Sequence, residues 1–159
     1  MDALNAPVER LDRPTAEEFD ALTALWEASV RATHDFLAPD DIGFFRRMVR
    51  DEALAAVALY VLRDEQGRIA AFAGVEGRRL EMLFVAPERR GCGCGRRLVA
   101  HVVERCGVRA TDVNEQNAQA VGFYARMGFR VAGRDARDAS DKPYPILHLE
   151  LPDPIADGR

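Results

Sequence analysis

A loop with three glycines, set between a predicted strand and a predicted helix, is the most constraining feature of this chain. Residues 83–98 read LFVAPERRGCGCGRRL, so glycines and cysteines alternate over residues 91–95. Glycine lets a backbone take positive φ and approach a ligand closely. The N–H groups of such a loop, with a helix N-terminus behind it, form an anion site.

Four arginines, at positions 89, 90, 96 and 97, surround the loop. Arginine binds phosphate through bidentate, charge-assisted hydrogen bonds. The stretch therefore predicts a phosphate or pyrophosphate cradle. The simpler alternative is a glycine-rich turn whose arginines are only solvated.

The loop does not match two familiar phosphate motifs. A P-loop would need a Gly-Lys-Ser/Thr sequence, which the stretch lacks. In a dinucleotide fingerprint counted from Gly91, the third glycine would fall at Arg96. The strand before the loop also ends a predicted meander and does not begin a βαβ unit.

Length and charge narrow the class of protein. With 159 residues and 17.7 kDa, the chain has room for one domain with a real core. Its net charge of −4 argues weakly against a nucleic-acid partner. Lys142 is the only lysine, so 21 of the 22 cations are arginines.

Three sequence features predict a cytoplasmic protein with no membrane partner. The three cysteines are too few, and odd in number, for a secreted disulfide framework. The first residues show no basic segment followed by an apolar one. The longest apolar run, 53–62, is too short to cross a bilayer.

Periodicity and turn signals predict an α/β or α+β sheet with helices on its faces. Thr15 and Glu18 form a capping-box pattern at the start of the first helix, and Gly128 is placed to end the last helix. The predicted strands are 8–11, 57–62, 69–75, 80–85, 108–113, 129–132 and 146–151. The predicted helices are 16–31, a second one starting at Pro39, 96–106 and 117–127.

Two motifs together resemble the GNAT superfamily of acyl-CoA-dependent N-acetyltransferases. The pattern Arg90-x-x-Gly93-x-Gly95 resembles the family's pyrophosphate loop, and residues 83–87 resemble its fourth strand. Residues 114–129, NEQNAQAVGFYARMGF, resemble its second signature. The resemblance spans about 8–151, which implies a single domain over 1–159 with a flexible tail at 152–159.

The resemblance also implies a branch and a fold. Residues 29–37 and 133–147 resemble the small bacterial YjaB-like acetyltransferases. The implied GNAT fold is a mixed, mostly antiparallel sheet of about seven strands with helices on both faces. Its fourth and fifth strands splay apart.

The implied cofactor is acetyl-CoA or coenzyme A. Backbone groups of Phe84 and Val85, beside Leu83, would pair with the pantetheine arm as an added strand does. Asn117 would hydrogen-bond the same arm, and Asn114 would line the cleft. The pyrophosphate would lie on the loop that comprises Arg90, Gly91, Cys92, Gly93, Cys94, Gly95 and Arg96. Phe123 and Tyr124 form the aromatic pair of the second signature.

The implied chemistry moves an acetyl group from a thioester to a primary amine in a ternary complex, which requires a base and an acid. Glu81 lies two residues before Leu83, so strand alternation puts it on the same face and makes it the candidate base, acting through water. Tyr124 is the candidate acid, because a phenol is closely matched to a thiol leaving group. The alternatives are that Glu81 faces solvent and that Tyr124 only packs against the sheet.

Three further side chains are candidates for the acceptor pocket. His34 stands beside Asp35, and we favour a structural or acceptor-lining role for it over direct base catalysis. Trp26 and Phe36 are predicted to line the pocket, although aromatics at helical spacing are more often core residues.

Cys92 and Cys94 form a C-x-C pair with no accompanying metal-ligand cluster, so no metal is expected. They fit as small residues in a tight loop. A thiol at a helix N-terminus beside arginines can also have a lowered pKa, which would make it reactive.

The sequence therefore predicts an acetyl-CoA-dependent N-acetyltransferase whose acceptor is a small-molecule amine or a protein lysine. One rival is a non-catalytic acyl-CoA-binding sensor or partner-binding module, and another is a binder of a different nucleotide. The chain is expected to be a monomer or a homodimer with no nucleic-acid partner.

Overall fold

The computed structural model describes residues 6–152, so the predicted tail lies almost entirely outside the described residues. The elements follow the predicted order of one strand, two helices, three strands, a helix, a strand, a helix and two strands. The strands are β1 (Glu9–Leu11), β2 (Ala58–Arg63), β3 (Ile69–Glu76), β4 (Arg79–Val85), β5 (Ala110–Asn114), β6 (Arg130–Asp135) and β7 (Ile146–Glu150). The helices are α1 (Ala16–Thr33), α2 (Pro39–Met48), α3 (Cys94–Cys106) and α4 (Ala118–Arg126).

Local sequence signals set several of these boundaries. The capping box forms as predicted, because the Glu18 N–H donates to Thr15 Oγ1 at 3.1 Å and the Thr15 N–H donates to Glu18 Oε1 at 2.9 Å. Helix α4 ends at Arg126, with Met127 as C-cap, and Gly128 follows with a φ of 100° that favours glycine. Short turns of π-helix at Val49–Ala53 and 3₁₀-helix at Leu54–Ala56, which we did not predict, lead from α2 to β2.

The seven strands form one sheet in the order β1-β2-β3-β4-β5-β7-β6. Every neighbouring pair is antiparallel except β4 and β5, which run parallel. These two strands pair only at Arg79 with Ala110 and at Leu80 with Thr111. Both strands continue beyond that point, so they diverge toward their carboxyl ends, which confirms the predicted splay.

A β-bulge interrupts β4 at Glu81. Met82 lies opposite Gly74 and Leu80 lies opposite Val75, so Glu81 is the extra residue. The simple alternation that put Glu81 on the face of Leu83 and Val85 therefore breaks at Glu81 itself.

Helices cover both faces of the sheet, as predicted. Helix α1 packs on β3 and β4 from one side, and α3 packs on β2, β3 and β4 from the other, where α4 contacts β5. The core under α1 includes Leu22, Trp26, Val30, Val61 and Phe72. The core under α3 and α4 includes Leu62, Leu80, Leu98, Val102 and Val108. Among the described helices, none is long and apolar enough to span a membrane.

Candidate active site

A cleft of about 900 Å³ runs along the gap between β4 and β5. The cleft has two walls. We call one the loop side, residues 90–96. We call the other the α1 side, formed by Ser29, Thr33 and His34 at the end of α1 together with Asp112 of β5. Most of the residues predicted for the site line this cleft. They are His34, Glu81, Leu83, Phe84, Val85, Arg90, Gly91, Gly93, Cys94, Gly95, Arg96, Asn114, Asn117, Phe123 and Tyr124.

The edge of β4 that faces the cleft offers free backbone groups. The Ala86 N–H donates to the Ala70 carbonyl oxygen at 2.8 Å on the β3 side. Because ladder bonds alternate along an antiparallel pair, the backbone of Phe84 also points toward β3. The N–H and C=O groups of Leu83 and Val85 point the other way, into the gap. Of Leu83, Phe84 and Val85, only Leu83 and Val85 therefore have backbone groups placed to pair with an extended ligand. The backbone groups of Phe84 face β3.

The loop side is built for close approach to an anion. Gly91 and Gly93 have φ values of 80° and 85°, in the left-handed region that favours glycine. Gly93 is the N-cap of α3, so the N–H groups of the first helical turn lack acceptors within the helix. A Cβ at Gly95 would lie 3.4 Å from the ring of Phe123. Gly95 at the start of α3 therefore lies directly against the Phe123 ring of α4.

The four arginines of the loop differ in their contacts. Arg89 is largely buried and pairs with Glu65 at 3.2 Å, and a guanidinium nitrogen of Arg97 donates to the Ala6 carbonyl oxygen at 2.6 Å. These two tie the loop to other parts of the chain. Arg89 also lines the cleft together with Arg90 and Arg96, so these three carry the positive charge at the cleft wall.

The two loop cysteines turn their side chains inward. Cys92 and Cys94 are 8% and 2% exposed and belong to the core under α3. Burial raises the pKa of Cys94, so the lowered pKa considered from the sequence is wrong for this thiol. Cys92 is not among the described residues that line the cleft. Both cysteines act as small packing residues, and Cys94 contributes to the site through its position at the helix start.

Tyr124 lies at the closed end of the gap. Its side chain is buried and stacks edge-on against Phe123 and Phe129. Burial raises the pKa of Tyr124, and a hydrogen bond with Thr111 offsets part of the rise. Thr111 in turn donates to the Leu80 carbonyl oxygen at 2.8 Å, where the two strands part. The phenol is therefore protonated at neutral pH.

On the α1 side, His34 is held from two directions. Its Nδ1 lies 2.6 Å from Thr33 Oγ1, and its Nε2 lies 3.4 Å from Asn117 Nδ2. Asn117 also caps α4, since its Oδ1 accepts from the Ala120 N–H at 3.2 Å. Burial lowers the pKa of His34 to about 4, while Asp35 opposes that change. The ring is thus neutral and joins α1 to the start of α4.

Glu81 occupies a more open position than His34. Its side chain is 34% exposed and lies 3.9 Å from the Arg79 guanidinium. Arg79 also pairs with Asp112 at 3.0 Å. The same carboxylate lies 2.8 Å from His148 Nδ1. Contacts with Asp112 and Asp135 raise the pKa of His148. This surface network lies at one rim of the cleft.

The two predicted pocket aromatics lie behind the cleft, outside its described lining. Trp26 is 5% exposed in the core under α1, so it is a core residue. Phe36 packs between His34 and Tyr144, with ring centroids at 5.1 and 6.0 Å. It therefore supports the histidine and does not reach the cleft wall.

A clasp that sequence reasoning missed holds this region together. The Tyr144 hydroxyl donates to Asp41 Oδ2 and accepts from the Ala38 N–H at 3.2 Å. Lys142 pairs with the other oxygen of Asp41 at 2.9 Å. The clasp joins the β6–β7 connection to the start of α2. The run Lys-Pro-Tyr-Pro was visible in the sequence, but its partner lies 103 residues away.

Comparisons with known proteins agree with this geometry. Residues 30–140 match the family model described as "Acetyltransferase (GNAT) domain". The chain is 42% identical to the peptidyl-lysine N-acetyltransferase YjaB of Escherichia coli strain K12 over 137 residues, which are 86% of this chain and 92% of that protein.

Solved structures share the fold. The solution structure of apo-form YjaB from Escherichia coli has a TM-score of 0.80 and 40% identity, covering 91% of this chain and 95% of that one. The PaiA N-acetyltransferase of Thermoplasma acidophilum, solved in complex with coenzyme A, has a TM-score of 0.68 at 16% identity. It covers 92% of this chain and 100% of that one.

Proposed function

Because the chain belongs to the GNAT family of N-acetyltransferases, we propose that it transfers the acetyl group of acetyl-CoA to the side-chain amine of a protein lysine. The observation that carries this proposal is the open gap between β4 and β5, which joins the glycine loop to the α1 side. The peptidyl-lysine activity named for the E. coli relative supports a lysine acceptor over a small-molecule amine.

The residues of the cleft fit coenzyme A. The free groups of Leu83 and Val85 suit the amides of the pantetheine arm, since an extended ligand pairs with an open strand edge. The N–H groups at the start of α3, with Arg90 and Arg96, suit the pyrophosphate. Asn117 lines the cleft, and the sequence-based proposal that it hydrogen-bonds the arm is kept. Bound there, the cofactor supplies an acetyl group activated as a thioester.

Tyr124 is proposed as the acid that protonates the leaving sulfur. Its place at the closed end of the gap supports this role. Burial raises the pKa of the phenol, so Tyr124 holds its proton at neutral pH and has it available as negative charge develops on the sulfur.

Glu81 remains the candidate base predicted from the sequence, acting through water. Its carboxylate borders the cleft, but Arg79 lies beside it and the side chain is partly exposed. A cytoplasmic location, a monomeric or homodimeric state and the absence of a nucleic-acid partner likewise remain predictions.

The test is an assay with acetyl-CoA and a short lysine peptide whose N-terminus is blocked. The thiol released is measured together with the mass of the peptide, and the control is the same peptide with the lysine already acetylated. We expect thiol release to match formation of acetyl-lysine. Tight acetyl-CoA binding without transfer to any amine in a panel of peptides and small amines would instead support the non-catalytic binding module.

A further inference from the structure

We propose that His34 takes the proton of the attacking amine through its Nε2 atom, and that Thr33 is the positioning residue that makes Nε2 available. The proposal rests on the acetyl transfer proposed above. It assigns the base of that reaction to α1 and not to Glu81 on β4.

The hydrogen bonds of Thr33 determine which nitrogen of His34 carries the proton. A hydroxyl has one proton, and Thr33 donates it to the Ser29 carbonyl oxygen at 2.8 Å. Toward His34 Nδ1, at 2.6 Å, Thr33 Oγ1 therefore acts as an acceptor. The neutral ring consequently carries its proton on Nδ1, and the lone pair lies on Nε2.

Asn117 shows where that lone pair points. Its Oδ1 is occupied by the Ala120 N–H, so the amide nitrogen faces His34. The contact from Nδ2 to Nε2 is long, at 3.4 Å. Asn117 is the N-cap of the helix that carries Tyr124, so the lone pair of His34 points at the start of that helix, and both side chains line the same cleft. An amine N–H that entered here would replace the weak amide contact.

His34 and Tyr124 together account for the proton transfers of the acetyl-transfer step. The lysine ammonium first releases one proton to solvent, because its ordinary pKa of about 10.4 keeps it protonated at neutral pH. The neutral amine nitrogen then bonds to the thioester carbonyl carbon while the carbon–sulfur bond breaks. The nitrogen gives one proton to His34 Nε2, and the sulfur receives one from the Tyr124 hydroxyl. Solvent then carries a proton from the imidazolium to the phenolate. The products are an amide and a free thiol, and the enzyme is unchanged.

The surroundings of His34 suit this role better than those of Glu81. The lowered pKa of about 4 leaves His34 unprotonated at neutral pH, so no activating step is needed. Because the same burial makes His34 a weak base, it accepts the proton as the carbon–nitrogen bond forms and the nitrogen becomes positively charged. Asp35 is the charged neighbour on its own segment, and Glu81 and Asp112 face the cleft from β4 and β5.

The first experiment replaces the imidazole and then supplies it again. We expect His34→Ala to lower kcat by about 10²-fold or more, with the Kd for acetyl-CoA unchanged. Added imidazole should restore turnover in proportion to its concentration. His101→Ala is the matched control, since His101 packs on Tyr60 outside the cleft and should keep wild-type turnover.

The second experiment separates ring orientation from folding. Thr33→Val keeps the shape but cannot accept the Nδ1 proton, whereas Thr33→Ser can. We expect Val to lower kcat without changing either KM, and Ser to restore it.

Three results decide the assignment. The proposal is overturned if His34→Ala turns over like His101→Ala, if imidazole has no effect on His34→Ala, or if Thr33→Val and Thr33→Ser have equal kcat values. These results are read against wild-type activity on the lysine peptide. An inactive wild type would contradict the proposed function and the base assignment together, whereas an active wild type with an equally active His34→Ala contradicts only the base.

Discussion

The two walls of the cleft are built in different ways. The loop side is one contiguous stretch, residues 90–96, whose backbone is proposed to bind the cofactor and whose glycines set its path. The α1 side is assembled from side chains of distant segments, with His34 held by Asn117 from 83 residues away. The wall proposed for the cofactor is therefore encoded locally. The wall proposed for the acceptor depends on long-range contacts.

Tyr124 lies where the two walls meet, so its loss should affect chemistry more than binding to either side. We expect Tyr124→Phe to lower kcat by about 10²- to 10⁴-fold, with the Kd for acetyl-CoA nearly unchanged. Steady-state kinetics and calorimetry measure the two quantities. Tyr60→Phe removes another buried phenol, one that contacts Cys106 outside the cleft, and should leave kcat intact. Equal turnover in Tyr124→Phe would refute its role as the acid.

A single substitution that strains the backbone is expected to disrupt the loop side. Gly93 has a φ of 85°, and a β-branched residue there is strained by about 1–2 kcal/mol or more. We expect Gly93→Val to weaken acetyl-CoA binding by about tenfold or more. Gly67→Val is the matched control, because Gly67 has a φ of 82° in a turn away from the cleft. If both variants bind acetyl-CoA equally well, the loop conformation is not what binds the cofactor.

The clasp offers a way to loosen the α1 side alone. Tyr144→Phe keeps the ring beside Phe36 but loses the hydrogen bond to Asp41. We expect the KM for the lysine peptide to rise several-fold while the Kd for acetyl-CoA stays the same. A rise in both constants would show that the two walls are not independent.

Much of this division could be read from the sequence. The glycine loop, the capping box at Thr15 and the end of α4 before Gly128 are local signals, and the structure confirms their elements. The partners of individual side chains could not be predicted from the sequence. Arg89 pairs with Glu65 and Arg97 donates to the Ala6 carbonyl oxygen, so two of the four arginines also hold the loop to other segments of the chain. Trp26 lies in the core because α1 turns that face to the sheet.

The bulge at Glu81 could not be predicted from the sequence either. Strand alternation is a rule for regular ladders, and one inserted residue breaks it. The same holds for the tautomer of His34, which depends on a hydroxyl one residue away and an amide 83 residues away.

The smallest expected effect is a pH dependence of stability. The pKa of His34 is about 4 in the folded chain and near 6.5 in the unfolded one. The unfolded state therefore binds more protons between these values, and stability is lost as the pH falls from about 6.5 toward 4. We expect the advantage in Tm of wild type over His34→Gln to shrink between pH 7 and pH 5. An advantage that grew as the pH fell would contradict the burial of a neutral ring.

Calorimetric titration of the wild-type chain with acetyl-CoA, and separately with NAD and ATP, tests the central claim that this cleft is an acyl-CoA site. All three ligands carry phosphates, but only acetyl-CoA has an arm that can pair with the free edge at Leu83 and Val85. We predict saturable binding of acetyl-CoA at one site per chain and far weaker binding of NAD and ATP. Binding of NAD or ATP as tight as that of acetyl-CoA would contradict the account, because the loop alone would then be the site.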